Sequence, residues 1–290
     1  MTSLDLTGRT AIITGASRGI GLAIAQQLAA AGANVVLTAR KQEAADEAAA
    51  RVGEKALGVG AHAVEEDAAR RCVELTLDRF GSVDILVNNA GFGVLGAAEE
   101  SSTAQAQQLF DTNFFGLVRV TREVLPYLRA QRSGRIINIG SVLGFLPAPY
   151  GALYSASKHA VEGYSESLDH ETREFGVRVS VVEPGYTNTA FEASATDADS
   201  PIESYAPVRE HVKNILAKSV RAGDDPAVVA RVVLKAATDR TPKLRYPAGP
   251  LARQLSLLKK YAPAGLLDNG IRKANKLGSA PKSHQVPQKV

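Results

Sequence analysis

Tyr154, Ser155, Ala156, Ser157 and Lys158 follow one another within a stretch of helical pattern, so Tyr154 and Lys158, at i and i+4, share one helix face. An ammonium beside a phenol favours the phenolate and is expected to lower the Tyr154 pKa toward neutrality. A tyrosine so placed can give a proton to an alcohol or carbonyl oxygen, or take one from it. Ser141 stands just past an apolar, strand-like run and is placed to hydrogen-bond the same oxygen. A Tyr-x-x-x-Lys spacing alone is common and describes a surface pair equally well; its weight comes from what stands elsewhere in the chain.

The second candidate is a glycine turn. Thr14-Gly15-Ala16-Ser17-Arg18-Gly19-Ile20-Gly21 sits between an apolar run and an amphipathic helix. Glycines there let the backbone approach a pyrophosphate, while the first turn of the helix offers free N–H groups and a partial positive charge. The spacing is G-x-x-x-G-x-G, not the G-x-G-x-x-G fingerprint. At the end of the second apolar run an acid would bind the ribose hydroxyls of NAD; here Ala39 is followed by Arg40. A guanidinium pairs with a 2′-phosphate instead, and Arg18 can flank it, so the expected cofactor is NADP(H).

These residues need a frame, and the hydrophobic pattern supplies one. Short β-branched runs (Thr10–Thr14, Asn34–Ala39, Ala56–Ala61, Val83–Asn88, Arg135–Ile139, Val177–Val182 and Lys243–Tyr246) alternate with helical patterns. The helices expected are Gly19–Ala31, Gln42–Val52, Glu65–Phe80, one long helix in Thr103–Gln131, another over Tyr150–Phe175, and Pro226–Thr238. Continuous apolar strands alternating with helices imply an α/β fold, a parallel sheet covered on both faces. No linker divides it, so residues 1–247 read as a single catalytic domain. Within it about 190–225, weakly periodic, forms a substrate loop.

Composition narrows the function. Of 290 residues 45% are hydrophobic and 22% charged, which is ordinary for a folded globular chain. The single cysteine, Cys72, allows no intrachain disulfide and reads as a small buried residue; it suits a reducing cytoplasm. Met1–Leu6 is too short and polar for a signal peptide, and no run of about 18 apolar residues occurs. No His, Asp or Glu cluster has metal-ligand spacing. The net charge of +4 is unevenly placed: residues 241–290 carry +9 and the first 240 carry −5. That is a basic tail rather than a basic groove with interleaved aromatics, and it does not read as a nucleic-acid surface.

Taken together, the Gly15–Gly21 turn, Asn88-Asn89-Ala90-Gly91, Asn113, Ser141, Tyr154, Lys158, and Pro184-Gly185 followed by Thr189 resemble the short-chain dehydrogenase/reductase family over roughly residues 5–240. The resemblance implies a Rossmann-type doubly wound sheet of order 3-2-1-4-5-6-7 and dimers or tetramers built on the two long helices. It implies that Ser141 polarises a carbonyl, Tyr154 exchanges the proton, Lys158 binds the nicotinamide ribose and tunes the tyrosine, and Asn113 holds a water of the proton relay. It also implies a cofactor site of Gly15, Ser17, Arg18, Gly19, Ile20, Gly21, Arg40, Asn88, Ala90, Gly91, Tyr154, Lys158, Pro184, Gly185, Thr187 and Thr189. Two positions depart from the family. His62 stands where an aspartate usually lies near the adenine, and imidazole can still hydrogen-bond adenine. Thr187 replaces a frequent aliphatic and acts through its backbone. His159 points away from the Tyr154 face and reads as structural.

The segments around Phe92, Val94, Leu95, Val142–Tyr150 and Phe191 carry few charges, and ligands bind at the carboxyl ends of the strands. The expected substrate is therefore an apolar ketone or aldehyde, reduced reversibly to an alcohol, and the Glu183–Phe191 segment resembles the branch of hydroxysteroid and retinol dehydrogenases. A 3-oxoacyl thioester reductase of lipid synthesis would use the same residues, and the basic C-terminus would suit its acidic carrier. A non-catalytic NADP(H)-binding regulator would be marked by loss of Tyr or Lys, and neither is lost.

Residues 248–277 form a basic amphipathic extension, and 278–290 are expected to be a mobile tail. Leu251, Leu255 and Leu258 make one apolar stripe; Leu266, Leu267 and Ile271 make a second, with Arg253, Lys259, Lys260, Arg272, Lys273 and Lys276 beside them. Packing on the domain, lidding of an apolar pocket, and weak contact with an anionic membrane surface are all open readings.

Overall fold

The computed structural model describes residues 4–189 and 195–277. Phe191 and the tail from Gly278 lie outside the described residues. The chain begins with β1 (Thr10–Ile13), α1 (Gly19–Ala30), β2 (Asn34–Ala39), α2 (Gln42–Val52), β3 (Ala56–Gly60), α3 (Glu66–Phe80) and β4 (Ile85–Asn88). There follow β5 (Val94–Leu95), α4 (Thr103–Phe110), a π-helical turn (Asp111–Phe115), α5 (Gly116–Ala130), β6 (Gly134–Ile139), α6 (Ala152–Thr172) and β7 (Val177–Pro184). The last part holds β8 (Thr196–Asp197), α7 (Ala206–Arg221), α8 (Pro226–Thr238), β9 (Arg245–Ala248), α9 (Pro250–Tyr261) and α10 (Ala264–Ala274).

Seven strands form one parallel sheet in the order β3-β2-β1-β4-β6-β7-β9, which is the expected doubly wound order once the short β5 and β8, paired only with each other, are set aside. Alternate side chains of each strand face opposite layers. Ile13, Leu37, Val87 and Val182 pack under α1, α2 and α8 through Ile24, Leu28, Ala48 and Val233. Ile12, Val36, Leu86 and Ile136 pack on α3, α5 and α6 through Val73, Val124, Leu128 and Leu168. With both faces covered, the strands need no polar side, which is why they read as continuous apolar runs. Strand order reverses between β1 and β4, and the crevice beyond their carboxyl ends is where such sheets bind ligands.

Three expectations change. The long helix expected in Thr103–Gln131 is interrupted by the π turn at Asp111–Phe115. The final strand is Arg245–Ala248, two residues later than Lys243–Tyr246, because Val181 to Pro184 pair with Arg245 to Ala248. Much of the expected substrate loop is helix α7, which buries only Val212 and is held by ion pairs instead of an apolar stripe.

Candidate active site

The glycine turn is braced from β4. Thr14 Oγ1 accepts from the backbone N–H of Asn89 at 2.9 Å and of Ala90 at 3.0 Å. The Asn89 amide donates back to the carbonyls of Thr14 (2.9 Å) and Gly15 (3.0 Å). Gly15 sits at φ +61°, and a Cβ there would lie 2.9 Å from Ala90 Cα; one on Gly21 would lie 2.6 Å from the Gly15 carbonyl oxygen. These two glycines are therefore required by close backbone approach as well as by conformation. No side chain caps the start of α1, so its first-turn N–H groups remain available to an anion. Thr189 lies over the same turn, 3.5 Å from where a Cβ on Gly19 would be. Ser17 and Ile20 are half-buried beside it, and Arg18 is exposed.

Arg40 follows β2 directly and is exposed, and among the described residues nothing pairs with its guanidinium. His62, in the turn after β3, accepts a long 3.4 Å contact at Nδ1 from the Val64 N–H. Asn88 differs in kind from its neighbours. It is buried and donates inward to Thr121 Oγ1 (3.1 Å) and Asn138 Oδ1 (2.9 Å), so only its main chain can serve the crevice. The residue that shapes the turn with its side chain is Asn89, which the sequence reading did not single out. Strand alternation would have pointed to it: if Asn88 faces the core at the strand end, Asn89 faces the turn.

Ser141 stands at the end of β6, where its Oγ accepts from the Leu143 N–H at 3.1 Å and caps a short 3-10 turn. Its hydroxyl also hydrogen-bonds the Tyr154 hydroxyl. Lys158 is buried, its ammonium 5.7 Å from the Tyr154 ring centre and donating to the Ile139 carbonyl at 2.8 Å. Asn113 lies on the π turn, a distortion often found at functional sites. Its amide clasps the main chain of Phe92 in both directions at 2.9 Å and donates to Ser157 Oγ at 3.2 Å. Ser157 in turn donates to the Tyr154 carbonyl at 2.7 Å. Gly91 leaves room for this clasp, since a Cβ there would lie 3.1 Å from Asn113 Oδ1.

The electrostatics depart from the sequence expectation. Burial pushes the Tyr154 phenol above its ordinary pKa, and the Ser141 hydrogen bond recovers only part of the shift. Burial also pulls Lys158 down to about 8, opposed by the carboxylate of Glu162. Desolvation is the largest influence on both groups. The arrangement is thus a protonated phenol bonded to a serine hydroxyl, able to donate a proton to an oxygen held between them.

Residues 9–200 match the family described as short chain dehydrogenase. The chain belongs to the short-chain dehydrogenase family. It is 35% identical over 264 residues to the 3-ketodihydrosphingosine reductase of Bacteroides thetaiotaomicron, covering 90% of this chain and 96% of that protein. It is also 35% identical to retinol dehydrogenase 8 of Bos taurus, covering 89% and 87%. Among solved structures, a short-chain dehydrogenase from Streptomyces avermitilis superposes with a TM-score of 0.79 at 32% identity, covering 92% and 95%. A Burkholderia phymatum family member in complex with NAD gives 0.78 at 27% identity, covering 90% and 95%.

The rest of this dehydrogenase's crevice is built from distant segments. Gly185 packs beneath Leu251 and Ala252, while Thr187 bridges to Asp224, whose carbonyl also accepts from Asn188 N–H at 2.9 Å. The buried Glu100 accepts from the N–H groups of Ala97 (2.7 Å) and Ile202 (2.8 Å) and pairs with Arg209, tying α7 to the segment after β4. Pro147, Ala148, Pro149, Ala156 and His159 line a groove of about 500 Å³, closed on its far side by Ile271, Arg272 and Leu277 of the C-terminal hairpin. Cys72 is buried and its thiol is pushed up to about 12, which leaves it without thiolate character.

Proposed function

We propose that this oxidoreductase is an NADP(H)-dependent reductase of apolar ketones or aldehydes, working in reverse on the corresponding alcohols. The observation that carries it is the Ser141–Tyr154 hydroxyl pair with Lys158 one helical turn on and Asn113 clasped behind. A nicotinamide dinucleotide fits the crevice by two tests: uncapped amides at the braced glycine turn, and the unpaired Arg40 where an NAD enzyme would carry an acid. When bound, a reduced nicotinamide would supply a hydride to the carbonyl carbon. Ser141 orients the carbonyl oxygen, and Tyr154 transfers its proton to that oxygen. Lys158 stabilises the phenolate left behind, and Asn113 sits where a water can return the proton. Gly15, Gly19 and Gly21 would admit the pyrophosphate, Ala90 and Gly91 the nearby ribose, and Pro184 to Thr189 the nicotinamide end.

An apolar substrate is supported by relatives named for 3-ketodihydrosphingosine and for retinol. Dimerisation through α5 and α6 is supported by the exposure of Tyr127 on α5 and of Phe115 in the turn before it. The test is oxidation of NADPH and of NADH against ketones, aldehydes, steroids and acyl thioesters. Turnover with bulky apolar ketones and a preference for NADPH are expected. Preference for NADH, or activity confined to acyl thioesters, overturns the corresponding part.

A further inference from the structure

Directly behind Lys158 lies a pair of carboxylates that the mechanism above does not use. Glu162 is one turn further along α6, 6% exposed, and Glu183, near the end of β7, is 1% exposed. One guanidinium serves both. Arg245 Nε, from β9, lies 3.0 Å from Glu162 Oε2 and 3.6 Å from Glu183 Oε1, while its Nη2 reaches Glu166 at 3.3 Å near the surface. Glu162 Oε1 and both oxygens of Glu183 have no hydrogen-bond donor among the described residues. Two buried carboxylates with oxygens that lack donors, both beside one guanidinium, cannot both carry charge at little cost, so one of them is held protonated. Burial, reinforced by the like charge of Glu162, pushes Glu183 up to about 8, and Glu162 is itself raised. The other charged or titratable groups facing the pair are Lys158, His159 and Glu166 on α6 and Arg245 on β9.

The place of the pair gives it a task. Glu162 packs under the loop that carries Ser141: a Cβ on Gly140 would lie 3.1 Å from Glu162 Oε1, and one on Gly144 3.0 Å from Glu162 Cγ. It is also the group whose charge opposes the loss of the Lys158 proton. We propose that Glu162 and Glu183 carry a single negative charge under the Arg245 guanidinium, with Glu183 protonated, as a positioning dyad whose charge on Glu162 keeps Lys158 protonated and whose bulk sets the Ser141 turn. The inference rests on the reading of Lys158 as the partner of Tyr154.

The test is the pH profile of kcat/KM for ketone reduction, whose alkaline limb falls as Lys158 loses its proton. Glu162→Gln keeps the shape and removes the charge, so the limb moves to lower pH by about one unit. Glu162→Asp restores most of that shift. Glu183→Gln acts oppositely: it removes the competing acid, leaves a full charge on Glu162, and holds the limb in place or moves it up. A limb unmoved in Glu162→Gln, or equal pH-independent losses in both variants, overturns the proposal. A second measurement needs no activity. The wild-type infrared spectrum at neutral pH should show a protonated carboxyl band that Glu183→Gln abolishes, and absence of that band overturns the protonated Glu183 whatever the kinetics. Full turnover in Tyr154→Phe would instead sink the functional reading while leaving the band intact.

Discussion

The crevice at the strand ends and the C-terminal hairpin are built on opposite terms. In the crevice, Thr14, Asn89, Asn113 and Ser157 each make hydrogen bonds to parts of the chain far away in sequence, and Lys158 is tied to β6. In the hairpin of α9 and α10, Ala252 is the one side chain fully buried among the described residues, while Leu257, Leu258, Tyr261 and Leu266 face outward at 59%, 39%, 71% and 62% exposure. Of the stripe Leu251, Leu255 and Leu258, Leu258 is exposed and Leu255 only half-buried, so α9 is anchored mainly at its first turn, through Ala252 and the contact of Leu251 with Gly185. The difference teaches where changes act separately. Point substitutions in the crevice can remove chemistry while the framework stands. In the hairpin a whole element can go with little loss of core.

The largest effect expected is that of Tyr154→Phe, which removes one hydroxyl and keeps the ring. Turnover should fall by about 10²–10⁴-fold, the usual worth of a positioned general acid. NADPH binding, followed by fluorescence, should survive. Near-normal turnover with the fold intact would erase the contrast, because the crevice would then be no more than a binding cleft. Next comes Arg40→Asp. Loss of a charge-assisted phosphate contact costs about 1.5–3 kcal/mol, or roughly tenfold to a hundredfold in NADPH affinity. NADH use should hold or improve. Unchanged NADPH affinity by calorimetry would show that Arg40 only ends its strand in solvent.

What the sequence made legible follows the same division. The bounds of α2, α8 and β2 agree with expectation to the residue because their signals are local. For α8, Pro226 opens the helix and Asp225 caps the Ala227 N–H at 2.7 Å. Family motifs brought Ser141, Tyr154, Lys158 and Asn113 to one place in the same way. Long-range facts were not legible. Helix α7 is docked by Arg209 on Glu100 and followed from a loop tied by Asp199 on Ser102 at 2.5 Å, about a hundred residues apart in each case. No periodicity signals such contacts. Nor could spacing show that Tyr154 is raised and not lowered, since the deciding quantity is burial.

A third prediction separates stability from chemistry inside the crevice. Glu183 has a folded pKa of about 8 against an ordinary 4.5, so the folded protein binds more protons than the unfolded chain between those values. The residue is therefore harmless below about pH 4.5, costs stability increasingly as pH rises, and costs most above 8. Glu183→Gln should remove that cost. We expect the variant to be more stable by about 1–3 kcal/mol at pH 7 and no more stable than wild type at pH 4, read by urea titration at both values. A gain that is the same at both pH values would assign the effect to packing.

The smallest effect tests the hairpin. Because β9 ends at Ala248 and Ala252 is buried in α9, a cut that spares the core must fall later, after Ala262. That removes α10, of which no side chain is buried, together with Ile271, Arg272 and Leu277, which close the groove over Pro147–Pro149 and Ala156. Pro147–Pro149 belong to the segment leading from Ser141 to Tyr154, so a substrate long enough to reach past them is expected to feel the groove's closing wall and a small one scarcely. Losing contact with a few methylenes at about 0.8 kcal/mol each should raise KM for bulky apolar ketones by roughly tenfold, leaving small ketones and NADPH nearly unaffected. The melting temperature should change little. Equal losses for small and bulky substrates together with a lower melting temperature would show that α10 packs as structure after all. Co-sedimentation of the intact chain with anionic vesicles, abolished by salt and by this truncation, would show instead that Arg272 and Lys273 of α10, with the exposed Leu266, meet a lipid surface.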